Sequence, residues 1–202
     1  MPTARYNHLD RRTSQLAARF LPSPKARYSA EEYDYVRGFV LLVHAEIENY
    51  VEDMVAGVLT AARDRWIDHQ RLSRCVTTLM MYNDKQLAPP ASLAKQSPND
   101  TLDATVKNVI KKHGDYVTRD NHGIRQKNLL RLLLPIGVSD GDLDPVWLGD
   151  MDTFGALRGL VAHTSAKRVQ TPPDPGISQR TVNDVLSGLL QLEPLLVALK
   201  RK

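Results

Sequence analysis

The sequence predicts an all-α protein, a helical bundle with one long early helix and shorter helices at its periphery. Three observations carry that prediction. Apolar residues recur at three- and four-residue intervals along most of the chain, as on the buried face of a helix. The stretches with this pattern tend to open on capping residues and close on glycine or proline. No stretch shows the two-residue alternation of a strand with comparable strength, and there is no internal repeat.

Residues 1–28 read as a basic N-terminal arm. Arg5, Arg11, Arg12, Arg19, Lys25 and Arg27 face only Asp10, and Leu9, Leu16, Ala17 and Phe20 suggest a short helix ended by Pro22 and Pro24. The arm is expected to pack on the edge of the body, with nucleic-acid phosphates as the sharper alternative. The body, residues 29–202, opens on Ser29-Ala-Glu-Glu32, a capping box. The helix that follows runs to about Ile67, long enough to invite a kink near Gly57. Val40, Ile47, Val51, Val55 and Val58 make its buried stripe. At about 100° per residue, His44 and Glu48 fall inside that stripe, about 40° apart. Polar groups there need partners. They are either a buried histidine–glutamate pair or part of a cleft wall.

Arg71 to Tyr82 is a second apolar helix through Leu72, Val76, Leu79 and Met80, with the Met80-Met81 pair in the core and Cys75 as a small filler. Asn83 to Asp100, punctuated by Pro89-Pro90 and Pro98, is a long loop. Thr101 to about His113 is helical through Leu102, Val106, Val109 and Ile110. Lys107, Lys111, Lys112, Arg119, His122, Arg125 and Lys127 make this region basic. That is a solvated face by default and a nucleic-acid track in the sharper reading. Gly123 to Pro135 is so rich in leucine that it should sit centrally, and Gly137 ends it. Asp140, Asp142 and Asp144 alternate as in a calcium loop, but the glycine is misplaced and no glutamate closes the pattern, so calcium is rejected. Trp147 should anchor a packing turn, with Asp150 or Asp152 capping the next helix. After the turn from Pro172 to Gly176, Ser178 caps a last helix that bends at Pro194 and reaches Leu199.

A chain of 202 residues fits one domain with an appendage. The net charge of +4 is compatible with nucleic acid without demonstrating it. Aromatic residues are only 6% of the chain, so such contacts would depend on charge and shape more than stacking. The single cysteine excludes an intramolecular disulfide and a cysteine-based zinc cluster. No apolar run approaches a membrane span and the N-terminus lacks a signal-peptide core, so a cytoplasmic protein is expected. The Gly-x-x-x-x-Gly-Lys, Gly-x-Ser-x-Gly and His-Glu-x-x-His patterns are missing. The histidines outside the motif below are scattered singly, so no metal and no cofactor is expected.

The most informative stretch is Met151 to Ser165, read as the last turns of a helix with Leu157, Leu160 and Val161 as its apolar stripe. It carries Arg158 and, five residues on, His163. The first is a permanent cation with a planar fork of donors, the second the side chain that titrates near neutrality. Five helical residues set the two Cα directions about 140° apart. The pair converges only in a cleft reached from two sides, or where the helix ends near His163. In the alternative, Arg158 is a surface residue and His163 pairs with the last carbonyls.

Leu157-Arg-Gly-Leu-Val-Ala-His-Thr-Ser165, behind an aliphatic helix, resembles the signature of the HEPN ribonucleases, in the branch named for its association with RiboL-PSP proteins. Val43-His-Ala-Glu-Ile-Glu-Asn-Tyr50 and Asn128-Leu-Leu-Arg-Leu-Leu-Leu-Pro-Ile-Gly137 extend the likeness over most of the chain from about Ser29. The residue after the arginine, polar in many of these enzymes, is Gly159 here. The resemblance implies a HEPN-like antiparallel bundle and a metal-independent endoribonuclease, a toxin or anti-phage effector. Two motifs would face one another across a homodimer. Arg158 and His163 would be catalytic; the likeness names no particular carboxylate, and Glu48 is the candidate in support by its place in the early-helix stripe. Thr164, Ser165, Lys167, Arg168 and His44 are the residues placed against substrate. The partners expected are RNA and a cognate antitoxin or defence protein. Attack by a 2′-hydroxyl would leave a 2′,3′-cyclic phosphate and a 5′-hydroxyl, so DNA should be inert.

Overall fold

A computed structural model describes residues 1–83, 92, 95, 97–163 and 172–201. Seven α-helices are described: α1 (Ala4–Phe20), α2 (Ala30–His69), α3 (Arg74–Met81), α4 (Leu102–Asp115), α5 (Gln126–Leu133), α6 (Pro145–His163) and α7 (Pro175–Leu199). The described residues contain no strand. The chain divides into two compact units.

The first unit comprises residues 1–51, 123–129 and 141–194. Its helices α1, α6, α7 and the first half of α2 form an antiparallel bundle. Thr3 Oγ1 caps α1 by accepting from Tyr6 N. The helix then lays Tyr6, Leu9 and Leu16 into the core. Arg12 Nε reaches Glu46 of α2 at 3.0 Å, and Tyr6 OH donates to the Leu186 carbonyl of α7 at 2.9 Å. Glu193 of α7, 3% exposed, accepts from Thr3 N, Thr3 Oγ1 and Tyr50 OH, so its buried carboxylate is well supplied with donors. The capping box at Ser29 forms with both of its bonds, Ser29 N to Glu32 Oε2 and Glu32 N to Ser29 Oγ. Trp147 of α6 is buried and donates through Nε1 to the Val185 carbonyl of α7 at 3.2 Å. Gly188 makes room for it: a Cβ there would stand 2.0 Å from the Trp147 ring.

Several local expectations change. Asp174, not Ser178, caps α7, accepting from Ile177 N at 2.8 Å, while Ser178 is buried one turn in. By length and composition α7 is apolar enough to cross a membrane, although no run in the sequence stood out as one; 44% of its apolar window is buried.

The second unit comprises residues 52–122, 130–140 and 195–202. The second half of α2 runs antiparallel to α4, fixed by Trp66 Nε1 to Asp103 at 3.0 Å and Asn121 Nδ2 to Glu52 at 2.8 Å. The α-helix continues through Gly57 to His69, and Gln70 just beyond it has a left-handed φ of 52°. Ser73 caps α3, so Leu72 falls outside it and is 50% exposed. Met81 is 80% exposed, at the frayed end of α3, and is not core. Leu129 in the first unit and Leu132 and Leu133 in this one are completely buried. Gly137 (φ 102°) ends the segment after α5, where Val138 N reaches back to the Leu133 carbonyl.

Three cations of the basic region are matched by carboxylates. Lys107 pairs with Asp103 at 2.8 Å, Lys111 with Asp115, and in the first unit Arg125 grips both oxygens of Asp152 at 3.0 and 2.9 Å.

Candidate active site

The motif occupies the end of α6. Asp144 Oδ1 opens this helix by accepting from Val146 N at 2.9 Å, the role expected of Asp150 or Asp152, which lie within it. The inner face buries Trp147, Leu148, Met151, Phe154, Gly155 and Val161. Leu160, expected beside Val161 in the stripe, is instead 50% exposed. It belongs to an outer row, Val146, Gly149, Thr153, Ala156, Leu160 and His163, spaced at three and four residues and exposed throughout. His163 is the last helical residue. Arg158, half-buried, projects roughly opposite this row. A single chain thus holds the guanidinium and the imidazole on different sides of α6.

Arg158 lies close enough to His44 of α2 for its charge to act on it. His44 is 2% exposed, with its ring 6.0 Å from that of Phe154. Burial, and secondarily the Arg158 cation, lower the His44 pKa from 6.5 to about 4, so this imidazole is neutral at pH 7. Glu48 Oε2 stands 3.6 Å from His44 Nδ1. That is too long for a hydrogen bond, and a neutral ring forms no ion pair. The two side chains thus lie side by side, with a neutral imidazole facing the carboxylate.

A residue missed by the sequence reasoning is nearer the motif histidine. Arg37 Nη2 donates to the Val161 carbonyl at 3.0 Å, and its Nε is 3.8 Å from Asp34. Val161 O is among the last four carbonyls of α6, which lack an intrahelical donor. Because α2 and α6 run antiparallel, Arg37 stands level with the end of α6, and His44 with Phe154. Glu48 is eleven residues beyond Arg37, roughly 16 Å of helix rise. A signal was available: residues 37, 44 and 48 project within about 40° of one another on α2. The signal is weak, because an arginine at a stripe edge usually snorkels to solvent.

Thr164, Ser165, Lys167 and Arg168, the expected substrate-binding group, lie outside the described residues. Among the described residues no three His, Cys, Asp or Glu side chains gather to hold a metal. The chemistry on offer is an exposed imidazole at a helix end, two guanidinium groups along the α2–α6 seam, and a buried neutral histidine between the helices.

An antiparallel bundle whose motif helix rests on a long early helix and ends on the motif histidine is the architecture of a HEPN domain. The chain belongs to the RiboL-PSP-HEPN family, which it matches over residues 7–192. No curated protein and no solved structure matches it. Membership of that family points to a ribonuclease or an RNA-binding module.

Proposed function

We propose that the protein is a metal-independent endoribonuclease acting as a homodimer in the cytoplasm, a toxin or anti-phage effector held in check by a cognate antitoxin or defence partner. One observation carries the reading: His163 ends an exposed row of α6 while Arg158 is held on the opposite, α2-facing side. A second copy covering the outer row would bring its own His163 beside the first, giving one site both an acid and a base. The row supports this, because Val146 and Leu160 are 72% and 50% exposed, with glycine, threonine and alanine between them. Such a face packs closely against its symmetry mate.

In that site His163 removes the proton of the substrate's 2′-hydroxyl, whose oxygen attacks the adjacent phosphorus. The protonated His163 of the other copy returns a proton to the departing 5′-oxygen. Arg158 is assigned the non-bridging oxygens, a role that requires its long side chain to swing from the α2 face toward the end of α6. The products are a 2′,3′-cyclic phosphate and a 5′-hydroxyl, and a DNA strand, lacking the nucleophile, is left intact.

The test is gel analysis of transfer, messenger and ribosomal RNA with wild type, His163→Ala and Arg158→Ala, with and without EDTA. Cleavage that resists EDTA and is lost in His163→Ala supports the reading. His163 is exposed, so its removal should shift stability by no more than about 0.5 kcal/mol. A second reading, a non-catalytic module that binds RNA, a nucleotide or a protein partner, is favoured by the place of Arg158 beside buried His44. Tight RNA binding without turnover would select that one.

A further inference from the structure

The second compact unit holds a cavity of about 440 Å³ that the ribonuclease reading leaves unused. Its size is that of a small-molecule site. Leu79 of α3, Val109 of α4, and Leu130 and Leu134 at the end of α5 form an aliphatic floor. One wall is aromatic: the ring of His113 stacks on that of Tyr116, with centroids 6.0 Å apart and 28° between planes. Tyr116 begins a π-helical turn running to Asp120, closed by Asn121 N to Tyr116 O at 2.9 Å. Such turns re-aim side chains and recur at binding sites.

The charges around this cavity have one sign. Lys112 and Arg131, both exposed, line it, and none of the described lining residues is acidic. Lys107 and Lys111, on the same helix as Lys112, are matched by Asp103 and Asp115. Burial lowers the His113 pKa, against the opposing pull of the bond between its Nε2 and the Leu132 carbonyl at 3.2 Å. An apolar pocket with two cations at its wall fits an amphipathic anion. Tyr82 and Asn83 add polar groups at the lining, but most of the exposed cavity surface is apolar, which favours a hydrocarbon body over the sugar of a nucleotide.

We propose that this cavity binds an organic monocarboxylate, its hydrocarbon body on the leucine floor and its carboxylate on Lys112 and Arg131. The inference rests on no part of the ribonuclease reading. Isothermal titration of the full chain with decanoate, decanol and adenosine monophosphate tests it, each below any micellar concentration. The expected result is one decanoate per chain, with decanol at least tenfold weaker. The double variant Lys112→Glu, Arg131→Glu should lose decanoate binding at least tenfold while its circular dichroism stays that of the wild type. Since both side chains are exposed, the fold should tolerate the change. No decanoate binding, equal affinity for decanol, indifference to the charge reversal, or tighter binding of adenosine monophosphate would each overturn the proposal.

Discussion

The Arg37 guanidinium donates to the Val161 carbonyl at 3.0 Å, pinning the end of α6 two residues before His163. Its side chain is only 17% exposed, so the bond is sheltered from water. Charged hydrogen bonds of this kind are worth roughly 1.5–3 kcal/mol. Under the ribonuclease reading Arg37 is a positioning residue. Arg37→Met should lower kcat at least tenfold with little change in KM, and Arg37→Lys should recover part of it. Should kcat be unchanged in a folded Arg37→Met, the positioning role is lost.

His44 makes stability depend on pH with a definite sign. Its pKa falls from 6.5 in the free state to about 4 in the fold, so the unfolded chain takes up the proton first. The stabilisation is complete above about 6.5, declines as pH falls from there to about 4, and is exhausted below that. It amounts to about 3 kcal/mol. His113, also lowered by burial, adds to the slope. A His44→Phe variant should flatten the denaturation free energy between pH 7 and 4, and Arg158→Met should raise the His44 pKa in an NMR titration. An unchanged titration would mean that Arg158 does not act on this ring.

Leu160→Glu introduces a charge into the outer row of α6 without touching the core. Light scattering should show a dimer for the wild type and a monomer for the variant, with RNA cleavage falling in parallel. Ile177→Glu, a change at another exposed apolar residue (56%) on α7, should alter neither. A wild type that stays monomeric at micromolar concentration would remove the shared site.

Gly188→Ala is expected to be severe. The new Cβ would stand 2.0 Å from the Trp147 ring, which is held by its bond to Val185. Overpacking of this kind costs typically 1–3 kcal/mol, or more when the neighbour cannot shift. For a chain of this size the melting temperature should drop by roughly 5–10 °C, with a change in tryptophan fluorescence. A melting temperature like that of the wild type would show that Trp147 is free to move.

Much of the helical order was legible because its causes are local. The capping box at Ser29 needs only residues 29–32, the left-handed Gly137 only its missing Cβ, and the buried stripe of α2 only helical periodicity. The cap of α6 was misplaced by six or eight residues and that of α7 by four, because several aspartates and a serine can each serve as a cap and the choice depends on where the chain enters the bundle. Leu72, Met81 and Leu160 were assigned to the core on spacing, yet a helix pattern does not say which of two apolar edges faces water.

The sequence by itself determined that the chain is helical, and that an arginine and a histidine share the end of one helix. Only the tertiary structure decided that His163 faces outward, that Arg158 turns toward a buried neutral His44, and that Arg37 holds the end of that helix. The reason is physical. Backbone hydrogen bonds and capping act over a few residues, whereas the desolvation of an imidazole and the direction of a guanidinium depend on which other helix lies against them.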